Sequence, residues 1–264
     1  MGKPPCSCMI RNPGLSTPGN LRSLAVELRM NLAALAFGCY VYGFLGGEFD
    51  GGYRDLLKRT FPELNLEDQQ HRRWLLEWLN KWGCRQFKKS DHDVASREIE
   101  AWNLKFAPLL FPKEKALGSL TETDFAAVES AFDDLAERTA STRRTRSADC
   151  YSVRFGPVGA AKILFALRPK ALLPWDTPIY GHFGWAGSGA DYREFLRGVS
   201  RCLTGIGEEC VKRGFVLEEL PGRVDRPNST LVKLIDEYLW ATVTNKVRIP
   251  SRDKLEEWLE WSQS

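Results

Sequence analysis

The sequence has little of what metal-binding and disulfide-rich proteins use. Its seven cysteines are an odd number without Cys-x-x-Cys spacing, and only three histidines occur in 264 residues. Structural zinc sites need closely spaced Cys or His ligands, and a disulfide framework needs paired cysteines. We therefore predict no metal site, no disulfide framework and a reducing, cytoplasmic location.

Long apolar runs and a strong net charge are also missing. The N-terminal stretch lacks the apolar core of a signal peptide, and the uncharged run between Arg29 and Glu48 is interrupted by glycines and tyrosines. We interpret this run as a core helix and expect no membrane partner. The net charge of +3 does not by itself indicate a nucleic-acid partner, yet residues 143–175 carry seven Lys or Arg and one acidic residue. Such a segment favours a phosphate-binding face, although solvated charge runs have the same composition.

Strand signals are almost absent, and helical periodicity dominates the chain. Residues 1–19 hold four prolines and three glycines and are predicted to form a flexible tail. From Leu21 to Cys39, apolar residues recur three and four apart, as on one face of a helix. Further helical patterns cover 93–107, 121–140, 190–213, 229–244 and 251–262. We predict a monomeric all-α domain over 20–264, in two helical lobes that share the N- and C-terminal helices.

Three tryptophans, Trp74, Trp78 and Trp82, lie four residues apart on another predicted helix. Aromatic side chains stack on bases, but a helical stripe of large apolar residues is more often core, and core is the prediction here. The turn from Trp82 to Gln86 is interpreted as a connection between helices rather than a wedge for DNA. In an alternative interpretation, the tryptophans at 74–82 and 258–261 form partner surfaces of an all-α interaction protein.

The most informative stretch runs from Arg154 to Ile179. A short helix through Tyr151 and Val153 is predicted to end at Gly156-Pro-Val-Gly159, where a second helix begins. Glycines at both ends of this turn, with Val158 between them, permit the backbone N–H groups to approach a phosphate. The basic side chains expected to assist are Arg143, Arg144, Arg146, Arg154 and Lys162.

Asp176 follows the apolar linker Leu172-Leu-Pro-Trp and precedes Thr177-Pro178. Because proline is tolerated in the first turn of a helix, Asp176 is predicted to be an N-cap. Capping alone is a sufficient structural reason for an aspartate. The negative charge also suits a helix N-terminus.

Gly156-Pro-Val-Gly159 followed by Leu172-Leu-Pro-Trp-Asp-Thr-Pro-Ile179 resembles the helix-hairpin-helix–Gly/Pro–Asp superfamily of DNA glycosylases. In that family a Leu-Pro-Gly-Val-Gly hairpin precedes, by some fifteen to twenty residues, a Val-Asp-Thr-His-like motif with the catalytic aspartate. The resemblance covers about thirty residues. It implies a helix-hairpin-helix over 148–167, a catalytic-aspartate loop over 168–179 and a catalytic role for Asp176.

Two departures from the family pattern refine this expectation. Bifunctional members carry a nucleophilic lysine at the position that aligns with Ala161 or Ala160, and Lys162 lies one residue later. One residue turns a helical side chain by about 100°, so Lys162 is predicted to face phosphate or solvent, and the enzyme to be monofunctional. No cysteine follows Cys210, so no iron–sulfur cluster or other cofactor is expected.

The resemblance thus implies an enzyme that binds double-stranded DNA, turns a modified or damaged base out of the stack and hydrolyses its N-glycosidic bond. Trp175, His182 and Trp185 flank Asp176 and are candidates for the base pocket. Similar proteins include bacterial antiviral glycosylases that remove glucosylated hydroxymethylcytosine, so repair and phage defence are both open. A non-catalytic helix-hairpin-helix protein, in which Asp176 only caps a helix, is the alternative.

Overall fold

Helices make up most of the computed structural model, which describes residues 30–144 and 149–263. Within these ranges the single sheet has two antiparallel strands, so the predicted all-α class is confirmed. The helices are α1 (Leu32–Leu45), α2 (Gly47–Arg59), α3 (Gln69–Lys81), α4 (His92–Phe106), α5 (Glu122–Glu137), α6 (Gly156–Leu167), α7 (Thr177–His182), α8 (Gly189–Lys212), α9 (Leu220–Arg223), α10 (Leu231–Leu239) and α11 (Arg252–Gln263). The strands are β1 (Thr139–Arg144) and β2 (Cys150–Arg154). Short 3-10 turns cover Lys89–Asp91, Ala107–Leu109, Leu117–Ser119 and Leu217–Glu219, and a π-helical segment covers Trp240–Thr244.

Polar residues at the N-termini explain where several helices begin. Asn31, Asp68, Thr121, Ser188 and Thr230 each accept a hydrogen bond from a backbone N–H of the first helical turn. These bonds satisfy donors that have no partner inside the helix. The helical stretches predicted between residues 93 and 262 are confirmed except at their ends: β1 begins at Thr139, inside the predicted 121–140 helix, and the π segment completes the predicted 229–244 helix.

The first described helix is shorter than the sequence pattern suggests. α1 begins at Leu32, whereas the predicted flexible tail and the predicted helix up to residue 29 lie outside the described residues. Gly46 ends α1, and α2 begins at the next residue and runs through Gly51 and Gly52. No single described helix is long and apolar enough to cross a membrane, and α1 and α2 together reach that length only with a bend of 86°.

The segment before α6 is a β-hairpin, so the predicted first helix of a helix-hairpin-helix is wrong. β2 occupies the place of that helix and pairs with β1, with Ser141 opposite Val153 and Arg143 opposite Tyr151. Val and Tyr favour strands, and the two-residue alternation of this segment fits a pleated pair better than a helical turn. The Ser141 hydroxyl is buried and donates to the carbonyl of Gln86, at 2.7 Å. This bond attaches the hairpin to the turn after α3.

α6 packs against α3 and α5. α1 packs against α10 and α11, so the first and last described helices lie together, while α5 packs against α6 and α8. Every residue of α6 from Gly159 to Leu167 is buried. The division into two lobes stays a prediction. α6 is a central helix, and its side chains point inward on all sides.

Candidate active site

Lys162 and Asp176 form an ion pair in which the lysine is buried and the aspartate is partly exposed. Lys162 belongs to α6, and Asp176 stands immediately before α7. The Lys162 Nζ lies 2.8 Å from the Asp176 Oδ1, with 6% of the lysine side chain and 29% of the aspartate side chain exposed. The α6 helix and the linker to α7 therefore bring together the two charged residues of the motif.

Asp176 occupies the N-cap position of α7 but does not act as a cap. Its backbone is extended, as predicted, yet its side chain makes no capping hydrogen bond. The carboxylate turns to Lys162 instead. Helix capping, which was a sufficient explanation at the sequence level, is therefore not the reason for an aspartate here.

Lys162 is buried, so the prediction that it faces phosphate or solvent is wrong. Its Nζ also donates to the carbonyl of Trp82, at 2.8 Å, and lies 5.6 Å from the centre of that indole ring. Burial disfavours the charge, but Cys84 and Asp176 nevertheless raise the pKa of Lys162 above its ordinary value. The sequence argument assumed that Lys162 follows a hairpin at the surface. Because α6 is a central helix, side chains on all of its faces point into the protein.

Next to this pair lies a cavity of about 280 Å³, which we call the site cavity. Small-molecule sites usually enclose about 300–1,000 Å³, so the site cavity is near the lower end of that range. Its aromatic lining comes from five elements or loops: Tyr42, Phe49, Trp82, Trp175 and Trp240. Its polar lining consists of Lys162, Asp176, Asp236 and Thr244. Flat aromatic walls with a few polar groups suit a flat heterocyclic ligand.

The C-terminal wall of the site cavity is a helix with an unusual turn. Asp236, Trp240 and Thr244 are four residues apart and all line the cavity. In a regular α-helix, residues four apart drift by about 40° around the axis. The wider turn of the π segment from Trp240 to Thr244 offsets this drift and packs beside α7. π segments are rare and frequent at functional sites.

A buried charge network adjoins the site cavity. The Lys233 Nζ donates to Asp236, at 2.9 Å, and lies 3.5 Å from Glu237. Arg226 donates to Glu237, at 2.7 Å, and also pairs with Asp50. Sequence analysis missed these residues. A signal was present, because Lys, Asp and Glu within the otherwise apolar stretch 231–239 cannot all reach solvent.

The predicted DNA-contact residues are divided between the surface and the core. Arg143 and Arg144 are exposed on β1, and Arg154 is exposed on β2 in an ion pair with Glu137. Arg146 lies outside the described residues. The structure therefore leaves three arginines on the hairpin surface.

The two predicted turn glycines have different roles. Gly156 has a φ of +67°, which favours glycine, and it lies partly exposed with Val158 at the start of α6. Gly159 is buried, and a Cβ there would lie 2.9 Å from the side-chain nitrogen of Gln86. At Gly159 the missing side chain serves packing against the turn after α3.

Of the candidates for the base pocket, only Trp175 lines the site cavity. Its Nε1 donates to the carbonyl of Pro157, at 3.1 Å, which ties the linker before Asp176 to the start of α6. His182 is exposed, and Trp185 packs on the outer side of Trp175, with 6.2 Å between ring centres. In the stripe on α3, Trp78 and Trp82 are buried as predicted and Trp74 partly so.

Replacing Lys162 with Met should destabilise the fold and remove the ion pair that holds the Asp176 carboxylate. The change leaves the Trp82 carbonyl and the Asp176 carboxylate without their donor, which costs about 1–3 kcal/mol in free energy of unfolding. The matched control is Lys170→Met, because Lys170 forms an exposed pair with Glu114. Urea denaturation measures both. Equal stability of the two variants would contradict a structural role for the Lys162–Asp176 pair.

Comparison of the chain with family models, with curated protein sequences and with solved structures gives no match.

Proposed function

We propose that this protein is a monofunctional DNA glycosylase that hydrolyses the N-glycosidic bond of an extruded base. The observation that carries the proposal is the ion-paired carboxylate of Asp176 at the edge of an aromatic cavity of about 280 Å³. A glycosylase needs this combination, because the extruded base requires flat apolar walls and the sugar requires a fixed negative charge beside it. The motif containing Asp176, in its resemblance to the helix-hairpin-helix–Gly/Pro–Asp glycosylases, supports the same assignment.

In this mechanism the extruded base enters the site cavity between the indole rings of Trp82 and Trp240. These rings are held in place, since the Trp82 Nε1 donates to the Phe49 carbonyl, at 2.8 Å, and Trp240 packs edge-on against Tyr42 and Phe49. Stacking on fixed aromatic side chains contributes about 1–3 kcal/mol per base. The walls thus compensate for part of the energy of unstacking the base.

Asp176 supplies the chemistry at the sugar. As the bond to the base lengthens, C1′ acquires positive charge, and the carboxylate stabilises it and orients the attacking water. Lys162 holds the Oδ1 at 2.8 Å, so the carboxylate is already positioned when the substrate arrives. A lysine attacks a sugar only as the neutral amine, and the raised pKa of Lys162 keeps its ammonium protonated. We therefore assign Lys162 as a positioning residue without lyase activity.

The test is release of free bases, followed by mass spectrometry, from duplexes that carry alkylated, oxidised, deaminated or mismatched bases or glucosylated hydroxymethylcytosine. Release of one class by the wild-type protein supports the proposal and names the substrate. Borohydride added during turnover should trap no protein–DNA adduct. A panel without any released base, together with salt-sensitive DNA binding, would favour the non-catalytic alternative.

The hairpin arginines should dominate DNA affinity. Arg143 and Arg144 are exposed, and the hairpin leads directly into α6, which carries Lys162. In Arg143→Gln/Arg144→Gln, the slope of log affinity against log salt should fall by about 1 for each phosphate that the protein no longer neutralises. Fluorescence anisotropy over a potassium chloride series measures this. The control is Arg252→Gln, an exposed arginine at the start of α11. An unchanged slope in the hairpin variant would place the DNA elsewhere.

A further inference from the structure

We propose that Asp236 is the proton donor to the departing base. This inference rests on the proposed function, and it fills a role that Asp176 does not take, since an ionised carboxylate beside the sugar has no proton to give. A base leaves as a neutral molecule only if it gains a proton during or after bond cleavage. Asp236 and Asp176 line the same cavity, Asp236 from α10 and Asp176 from the linker before α7.

The position of Asp236 suits proton transfer. It lies on α10 with 8% of its surface exposed, and that surface faces the site cavity. Lys233 donates to the Oδ2, at 2.9 Å, while the Oδ1 has no hydrogen-bond donor among the described residues. One carboxyl oxygen is therefore anchored and the other is left for a ligand.

Thr244 gives an independent sign that a polar ligand belongs here. Its Oγ1 is buried and has no hydrogen-bond partner within the described ranges, although it lies in the lining of the site cavity. A buried hydroxyl without a partner costs about 1–3 kcal/mol, so such groups are rare in a finished fold. A base carrying both donors and acceptors at its edge satisfies Thr244 and Asp236 together.

Burial favours a proton on Asp236, and the nearest cations oppose it. The buried network and the ion pair beside it contain four carboxylates, Asp50, Asp176, Asp236 and Glu237, and three cations, Lys162, Arg226 and Lys233. Tyr42, from α1, also faces this network, with the Lys233 Nζ 4.3 Å from its ring centre and its hydroxyl donating to Asp50. Burial raises the pKa of Asp236 and the charge of Asp176 adds to the rise, whereas Lys233 and Lys162 oppose it.

Glu237 is the other candidate for the protonated carboxyl group of this network, but its surroundings argue against a role at the site cavity. It is fully buried and does not line the site cavity. Arg226 and Lys233 both face one of its oxygens, at 2.7 Å and 3.5 Å. A proton on Glu237 has no path to a base. Glu237→Gln is therefore a matched control that makes the same charge change within the same network.

Atoms and electrons balance in this step. The C1′–N bond breaks and its electron pair goes to the base, which takes the proton from the Asp236 carboxyl. Water adds to C1′ and loses its proton to Asp176 or to solvent, leaving a free hydroxyl on the sugar. The products are a neutral base, an abasic site and an Asp236 carboxylate held by Lys233 until solvent reprotonates it.

The experiment has two arms. In the first, the carboxyl carbons of aspartate are labelled with ¹³C and followed by NMR over a pH series, with Asp236 assigned from the signal missing in Asp236→Asn. Asp236 should carry a proton at neutral pH in the wild-type protein and in Glu237→Gln. An Asp236 that is ionised throughout this range overturns the inference, whether or not the protein is a glycosylase.

In the second arm, single-turnover rates are measured on the duplex that releases a base in the panel. Asp236→Asn should be about 100-fold slower and should lose the decline in rate at alkaline pH, since the donor acts only below its pKa. Asp236→Glu, which keeps an acid, should recover part of the rate, and Glu237→Gln should stay within a few-fold of wild type. An active wild type with an equally active Asp236→Asn overturns the inference alone. A wild type that releases no base overturns the proposed function as well.

Discussion

Asp176→Asn should slow base release by about 10²–10³-fold while leaving the fold and DNA affinity close to wild type. The loss has this size because one preorganised electrostatic contact to a developing charge is removed. The protein should still fold, since the amide keeps an oxygen within reach of Lys162 and Asp176 makes no capping bond in the native structure. Single-turnover kinetics and thermal melting measure the two effects.

The matched control is Asp68→Asn. Asp68 is also an aspartate at a helix N-cap, but its side chain accepts from the backbone N–H groups of Gln70 and His71. Asn is an equally good N-cap, so this variant should be wild type in rate and in stability. A similar loss of rate in both variants would show that Asp176 has no special role.

A charge-mimicking probe tests Asp176 without knowledge of the base. A duplex with a pyrrolidine abasic-site mimic carries a protonated ring nitrogen, whereas the tetrahydrofuran mimic is neutral. Transition-state mimics bind about 100-fold or more tightly than ground-state ligands, so the wild-type protein should prefer pyrrolidine by that order. Asp176→Asn should bind both duplexes alike. Equal affinity of the wild type for both mimics would contradict an electrostatic role for the carboxylate.

Lys233→Met should lower the free energy of unfolding by about 3–5 kcal/mol, the largest stability effect expected in this chain. Lys233 is 3% exposed and is the donor to Asp236, and it lies beside Glu237. Removing one member of a buried ionic network leaves the other charges uncompensated. The exposed control, Lys81→Met, breaks a surface pair with Asp55 and should cost at most about 1 kcal/mol.

The loss in free energy of unfolding in Lys233→Met should depend on pH, because the carboxyl groups of Asp236 and Glu237 take up protons as the pH falls. Burial raises the pKa of Asp236 and of Glu237, and Lys233 opposes the rise in both. Without the lysine, their folded-state pKa values rise further, so the ionised forms destabilise the fold at high pH. The loss should shrink as the pH falls and the carboxyls take up protons. A loss of equal size across the pH range would mean that packing, not charge, is the main effect.

The helices were predictable because their patterns are local. Apolar spacing and capping residues act within a few turns, and α4, α5, α8 and α11 lie where the periodicity predicted them. The hairpin before α6 was not predictable in this way, because Tyr151 and Val153 pair with residues beyond the reach of local periodicity. Pairing between segments overrides weak local preference.

Within the lining of the site cavity, the sequence analysis pointed to Asp176, where a motif exists, and to its neighbour Trp175. Lys162 was noticed, but its direction depended on α6 being central, which is a property of the whole fold. Asp236, Trp240 and Thr244 carry no motif, and they reach the site cavity because α10 and its π segment pack beside α7. Tertiary packing, rather than local sequence, therefore determines most of the cavity lining.

The π segment also sets a limit on engineering this protein. Its wider turn between Trp240 and Thr244 departs from the regular hydrogen-bond ladder of α10, which makes the backbone there less favourable than a continuous α-helix. Selection for thermostability alone favours variants that shorten this turn into a regular helix. Such variants would rotate Thr244 away from Asp236 and Trp240. Heat resistance and the lining of the site cavity therefore compete at a single helical turn, and a library screened for thermostability should also be screened for the proposed activity.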